Sequence, residues 1–177
     1  VSNSELDAFL ADQRRQTAHH EAGHAVTAVA RGGTFHGLTV EGTATRHGGV
    51  HVVHPRAARE FVTFAGPWAE ARYDWADRPL DGIDEHGSTL HDYIRASLCA
   101  NASDLQVYEP SINLPFEIFV ADGQGDDAPE VPLARDESWY AELESYWPTM
   151  QLAADMVLRG LEIVPEWVRS QLDKIAN

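Results

Sequence analysis

Two histidines stand four residues apart in His20-Glu21-Ala22-Gly23-His24. The chain around them, from about residue 12 to residue 31, reads as one helix. Ala18, Ala22, Ala25, Val26 and Val29 recur at three- and four-residue spacings, as on an apolar face, and Gly32-Gly33 stops the pattern. A four-residue spacing on a helix places both imidazoles on one face, one turn apart. Two ring nitrogens so placed can share one Zn2+ at about 2.0–2.1 Å. Glu21, next to His20, is placed to take a proton from a metal-activated water without ligating the metal, which makes it the candidate catalytic base. In a shuffled chain of this composition the pattern arises roughly 0.04 times, uncommon but short of proof. Gly23 adds weight. Glycine inside a helix costs about 1 kcal/mol relative to alanine, so another backbone or the site itself is expected to come close there.

Two histidines do not complete a catalytic site. A third protein ligand and an open position are needed, and downstream Asp, Glu, His and Cys residues are all candidates. The rest of the chain sets where they can lie. Residues 34 to 54 look extended, as two or three short strands broken at Gly42 and Gly48-Gly49. Residues 57 to 75 read as a second helix, with Gly66-Pro67 marking a start or a kink. A loop over 77 to 88 precedes a helical stretch over 89 to 108, in two pieces around Asn101 and ended by Pro110. Residues 109 to 135 form a loop-rich acidic connection. The stretch Asp122 to Asp127 within it lacks the spacing of a calcium loop and reads as solvated. Three short helices are predicted after it, over 137–147, 148–159 and 165–175, with Pro148 and Pro165 in first turns and Gly160 as a stop. The fold class is α+β, mainly helical, as a single domain over 1–177. It comprises a zinc-site core (1–108), the connection (109–135) and a C-terminal helical bundle (136–177).

Composition narrows the partners. The 177 residues carry a formal net charge of -15, which repels phosphate backbones and anionic lipid, so neither nucleic acid nor membrane is expected. No apolar run approaches the roughly 18 residues of a membrane span. No basic-then-apolar leader is visible, although Val1 is not a start methionine and a trimmed leader stays open. Cys99 is the only cysteine and cannot form an internal disulfide, which leans toward a reducing, cytoplasmic setting.

The segment Ala18-His19-His20-Glu21-Ala22-Gly23-His24-Ala25-Val26 resembles the zinc helix of the FtsH-type metallopeptidases, the proteolytic domain of AAA+ membrane proteases. Ala65-Gly66-Pro67-Trp68-Ala69-Glu70 and Ala102-Ser103-Asp104-Leu105-Gln106 are similar to two further motifs of that family, in the family's order. The resemblance covers about the first 108 residues. It implies a zincin-like domain with zinc ligands His20, His24 and Asp104, and Glu21 as catalytic base. There are departures. Ser103 stands where the family has asparagine, Pro110 and Pro115 cut short its long helix, and no Gly-x-x-x-x-Gly-Lys-Ser/Thr stretch occurs. The resemblance therefore implies an ATP-independent peptidase acting on a peptide or on an unfolded, accessible protein.

Other residues carry weaker readings. Glu70 is open to three roles: holding a ligating histidine by a hydrogen bond, serving as third ligand, or lying on the surface. His51 and His54, three apart on a strand, point to opposite faces and do not chelate together, although their strand could border a cleft and pair with an extended substrate. His19 points away from the motif face. Asp84, Glu85, His86 and His91 are reserve ligands or a polar loop. Cys99 reads as a buried small residue. Trp139, Tyr140, Tyr146, Trp147 and Trp167 read as core, with a partner or homo-oligomer face as the alternative. Two rival functions remain: a zinc amidase acting on a non-peptide amide, and a non-catalytic zinc-binding interaction or regulatory domain.

Overall fold

The computed structural model describes residues 2–40, 48–110, 134 and 136–175. The expected break at Gly42 and the acidic stretch Asp122 to Asp127 lie outside the described residues, as does nearly all of the 109–135 connection.

Helix α1 (Asn3–Ala30) starts well before the expected residue 12. Ser2 and Glu5 form a capping box that satisfies backbone donors at the first turn. Residues 3–12 are all exposed, so this extension stands clear of the core although Leu6, Phe9 and Leu10 fall at helical spacing. From Ala18 to Val29 the helix is buried almost all round, Glu21 being the exception. The predicted apolar face of Ala18, Ala22, Ala25, Val26 and Val29 lies in the core. Gly32, at φ 78, follows the helix end in a left-handed conformation that favours glycine.

Strands β1 (Thr34–Thr39) and β2 (Gly49–Val53) form a two-stranded antiparallel sheet, with Phe35 opposite Val52 and His36 opposite His51. After a 3-10 turn at Arg56–Ala58, helix α2 (Arg59–Trp75) continues past the Gly66-Pro67 pair, which is neither its start nor its end. Helices α3 (Leu90–Ala100) and α4 (Ala102–Tyr108) divide at Asn101 as expected.

Helix α5 (Ser138–Leu158) corrects the prediction of a break at Pro148. Proline inside a helix costs about 3 kcal/mol. Here Leu143, Trp147, Met150, Ala153, Ala154 and Val157 all enter the core from this one helix, and their burial outweighs that cost. Pro148 itself is exposed, where water can replace the missing donor. Gly160, at φ 73, then turns the chain toward helix α6 (Pro165–Ile175).

Among the described residues the fold is mainly helical with one small sheet, and an apolar core draws side chains from all six of the helices named. Helix α1 is central: α2 and α5 pack on it along its buried half, and α6 closes against α1 and α5. Two ion pairs tie α5 down, Arg31 to Glu142 at 2.6 Å and Arg72 to Glu144 at 3.1 Å. The aromatic residues of the C-terminal helices pack on the core, Trp147 against Trp68 and Trp139 against Phe61 and Phe64. Among the described residues, no helix is long and apolar enough to cross a membrane.

The crossing of α1 over α2 is close at Gly23. A Cβ on Gly23 would stand 2.3 Å from the Ala65 carbonyl oxygen and 2.9 Å from the Ala69 Cβ. Gly23→Ala should therefore be destabilising despite alanine's better helix propensity, by about 2 kcal/mol once the roughly 1 kcal/mol propensity gain is set against overpacking. Denaturant unfolding of the two proteins measures this difference directly. A more stable Gly23→Ala protein would contradict the close crossing.

Candidate metal centre

His20 and His24 project from the buried half of α1 toward α2 and the start of α4. His20 Nε2 lies 2.9 Å from Asp104 Oδ2 and 3.1 Å from His24 Nε2. His24 Nε2 lies 3.5 Å from the same Asp104 oxygen. The structure thus brings His20, His24 and Asp104 into one group able to hold a metal ion. Ligand atoms about 2.0–2.1 Å from a tetrahedral ion stand roughly 3.3 Å apart, and the observed 2.9, 3.1 and 3.5 Å fall on either side of that value.

The far ring nitrogens fix the tautomers. His24 Nδ1 is 2.8 Å from the Val62 carbonyl oxygen, which can only accept, so Nδ1 carries the proton and Nε2 presents a lone pair. His20 Nδ1 is 2.9 Å from Glu70 Oε2. The same oxygen accepts from Ser97 Oγ at 2.9 Å and Asn101 Nδ2 at 3.1 Å, so Glu70 acts as an acceptor of three hydrogen bonds. Of the three roles open to Glu70, the structure gives it the first: it orients His20 and is not in the convergent group. A hydrogen bond on the distal nitrogen is the usual way an imidazole is held for a metal.

Charge points the same way. Burial disfavours a charge on His20, but the carboxylates of Asp104 and Glu70, one against each ring nitrogen, outweigh it and raise its pKa to about 10. Burial would raise the Asp104 pKa, yet the neighbouring His24 and His20 hold this carboxyl well below the usual range. Glu70 is held low against its own burial by His20, Ser97 and Asn101. The ionised Asp104 therefore faces the converging Nε2 atoms, with the ionised Glu70 behind His20, and this excess of negative charge favours a positive charge at the centre. A metal ion placed there uses both lone pairs and the Asp104 oxygen together, whereas a single proton has to be shared among them.

Gly66 makes room. A Cβ there would stand 2.4 Å from both Cε1 and Nε2 of His24 and 3.0 Å from His20 Nε2, in the space where the nitrogens converge. Pro67 follows it and has no N–H, so the helix lacks a donor for the Thr63 carbonyl beside Val62, whose own carbonyl serves His24.

The group lies in a cleft of about 690 Å³ bordered by α1, β2, α2 and α4. Glu21 lines it, half-buried, and forms no hydrogen bond or ion pair among the described residues. Of the strand histidines, His54 lines the cleft with its Nδ1 on the Pro55 carbonyl. His51 is on the outer face, stacked on His36. His19 packs on Tyr73 and Trp147 and donates to the Arg15 carbonyl. The reserve ligands do not join the group. Asp84 accepts from the His86 and Ser88 backbone and from the Tyr93 hydroxyl, so it shapes its own loop, and His91 packs on Tyr140. Cys99 is half-buried with its thiol pushed up by burial, which argues against a nucleophile.

Several contributors carry little sequence signal. The Val62 carbonyl carries none. Ser97 and Asn101 are spaced four apart on the approach to Asp104, a pattern too common to single out. Gly66 stands out in the sequence beside Pro67 and in the family-like stretch Ala65 to Glu70, but neither reading points to the space it leaves for the histidines.

Comparison with known proteins returns no match, whether to a family profile, a curated protein or a solved structure.

Gly66→Ala places a methyl group among the convergent nitrogens. It should lower metal affinity by at least the 10–100-fold typical of lost support around a site, while far-UV circular dichroism shows the helices retained. Competition against a chromophoric chelator reads the affinity. Unchanged affinity would mean that the metal does not bind beside Gly66.

Proposed function

We propose that this chain is a zinc-dependent metallopeptidase with zinc ligands His20, His24 and Asp104 and general base Glu21. The observation that carries the reading is the convergence of the two Nε2 atoms and the Asp104 carboxylate in a cleft that Glu21 also lines, with no partner for Glu21 among the described residues. Two imidazoles and one carboxylate favour zinc over the oxygen-preferring calcium and magnesium. Three protein ligands, rather than four, suit a catalytic ion more than a structural one. The resemblance of the three sequence stretches to the FtsH-type peptidase domain supports the same ligand set, and with it a zincin-like character for the fold.

When bound, the zinc supplies Lewis acidity that makes water a nucleophile near neutral pH. The remaining work falls to the chain's own groups. Glu70 and the Val62 carbonyl hold the two imidazoles in the tautomer that offers Nε2. Glu21 takes a proton from the attacking water and returns it to the leaving amine nitrogen. Val50 and Val52 of β2 give the cleft an apolar wall along a strand, which suits an extended polypeptide better than a small non-peptide amide. The substrates proposed are peptides and already accessible chains.

Glu21→Gln keeps the shape of the side chain and removes the base. The variant should bind about one zinc per chain and lose casein or peptide hydrolysis by on the order of 10²–10⁴-fold. Full activity in that variant would sink the mechanism. Stoichiometric zinc with no hydrolysis even in the parent would favour the non-catalytic reading.

A further inference from the structure

The exposed start of α1 carries three large apolar side chains, Leu6, Phe9 and Leu10, with 49%, 58% and 52% of their surface open to solvent. Their spacing puts them on one helix face. Each stands seven residues, two turns, before Gln13, Gln16 and Thr17, and all three of those residues line the cleft. Gln13 and Thr17 in turn stand seven residues before His20 and His24. Seven residues drift only about 20° around a helix. One face of one helix therefore runs from the apolar trio, through an uncharged polar turn, to the metal ligands.

From this continuity we infer that Leu6, Phe9 and Leu10 form a distal subsite of the cleft that takes an apolar, basic polypeptide segment. The inference rests on the peptidase reading of the site. Phe9 precedes His20 by eleven residues, roughly 16 Å along the helix. About five residues of extended chain span that distance, so a polypeptide reaches both places and a small amide does not. A second copy is a poor occupant. The exposed apolar area of the trio is on the order of 300 Å², against roughly 800 Å² per partner in a stable interface. An anionic bilayer is disfavoured by Glu5, Asp7 and Asp12 on the same segment and by the net charge of -15. The same charge attracts lysine and arginine side chains in a bound segment.

The test uses the zinc-loaded full chain carrying Glu21→Gln, so that binding is read without turnover. The probe is a fluorescein-labelled peptide of about 15 residues, with two lysines and a Leu-Phe-Leu cluster about five residues from its centre. Adding Phe9→Ser and Leu10→Ser should weaken its binding at least about tenfold by anisotropy. A probe with serines in place of the cluster should bind both proteins with the same reduced affinity. Both substituted residues are exposed, and circular dichroism and zinc content check that the fold is kept. Equal affinity of the cluster peptide for both proteins would overturn the inference. So would sedimentation showing a Phe9-dependent dimer that the peptide does not dissociate. Hydrolysis is scored separately in the chain with Glu21 intact. Phe9-dependent binding without any hydrolysis would retain the docking stripe and sink the peptidase reading. Hydrolysis with Phe9-independent binding would do the reverse.

Discussion

The structure depends on how closely α1 can approach α2. At Gly23 the two helices meet backbone to backbone, closer than any side chain allows, with the Ala65 carbonyl where a Cβ would be. Dispersion and apolar burial favour that contact, and the small residues Ala18, Ala22, Ala65 and Ala69 around it permit it. Its consequence is positional. His20, three residues before Gly23, and His24, the residue after it, are carried down onto α2, where Gly66 leaves a space and Val62 and Glu70 offer acceptors. A wider crossing would leave both imidazoles without the groups that set their tautomers.

Burying two histidines and two carboxylates together is unfavourable unless every charge has a partner. The site meets this condition outward from the centre. Ser97 and Asn101 satisfy Glu70, Glu70 satisfies His20, and His20 and His24 face Asp104. The remaining deficit is one of positive charge at the centre, and a divalent ion would meet it. Fold stability and metal affinity are linked by this arrangement, because a ligand held by the native state alone stabilises that state. Glu21 is half-buried on the cleft wall and takes no part in this network among the described residues.

Part of this was legible in the sequence because the determinants are local. The four-residue histidine spacing and the alanine-rich face of residues 18–29 specify a buried helix with two ligands, and the glycine at 23 points to a close approach that the structure bears out. The Ser2 to Glu5 cap and the helical spacing of Leu6, Phe9 and Leu10 could have been read as the start of α1. Pro148 misleads because propensity is a weak term beside six core side chains on one helix. Asp104 is a different kind of case. It lies 80 residues beyond His24 (104 − 24), and spacing alone cannot bring it back to the site. Only the likeness of short motifs to a known family suggested it. The role of Glu70 depends on Ser97 and Asn101 from another helix, so it stayed undecided until the packing of α2 against α3 was known.

The central claim is that His20, His24 and Asp104 hold one zinc ion. Crystals of the zinc-loaded chain, with anomalous diffraction recorded on both sides of the zinc edge, test it most directly. The account predicts one strong edge-dependent peak per chain, about 2.0–2.1 Å from His20 Nε2, His24 Nε2 and an Asp104 oxygen, with Glu70 on His20 Nδ1 and off the metal. A peak ligated by Glu70 or by residues near His86 in place of Asp104, or no peak between the two histidines, would contradict it.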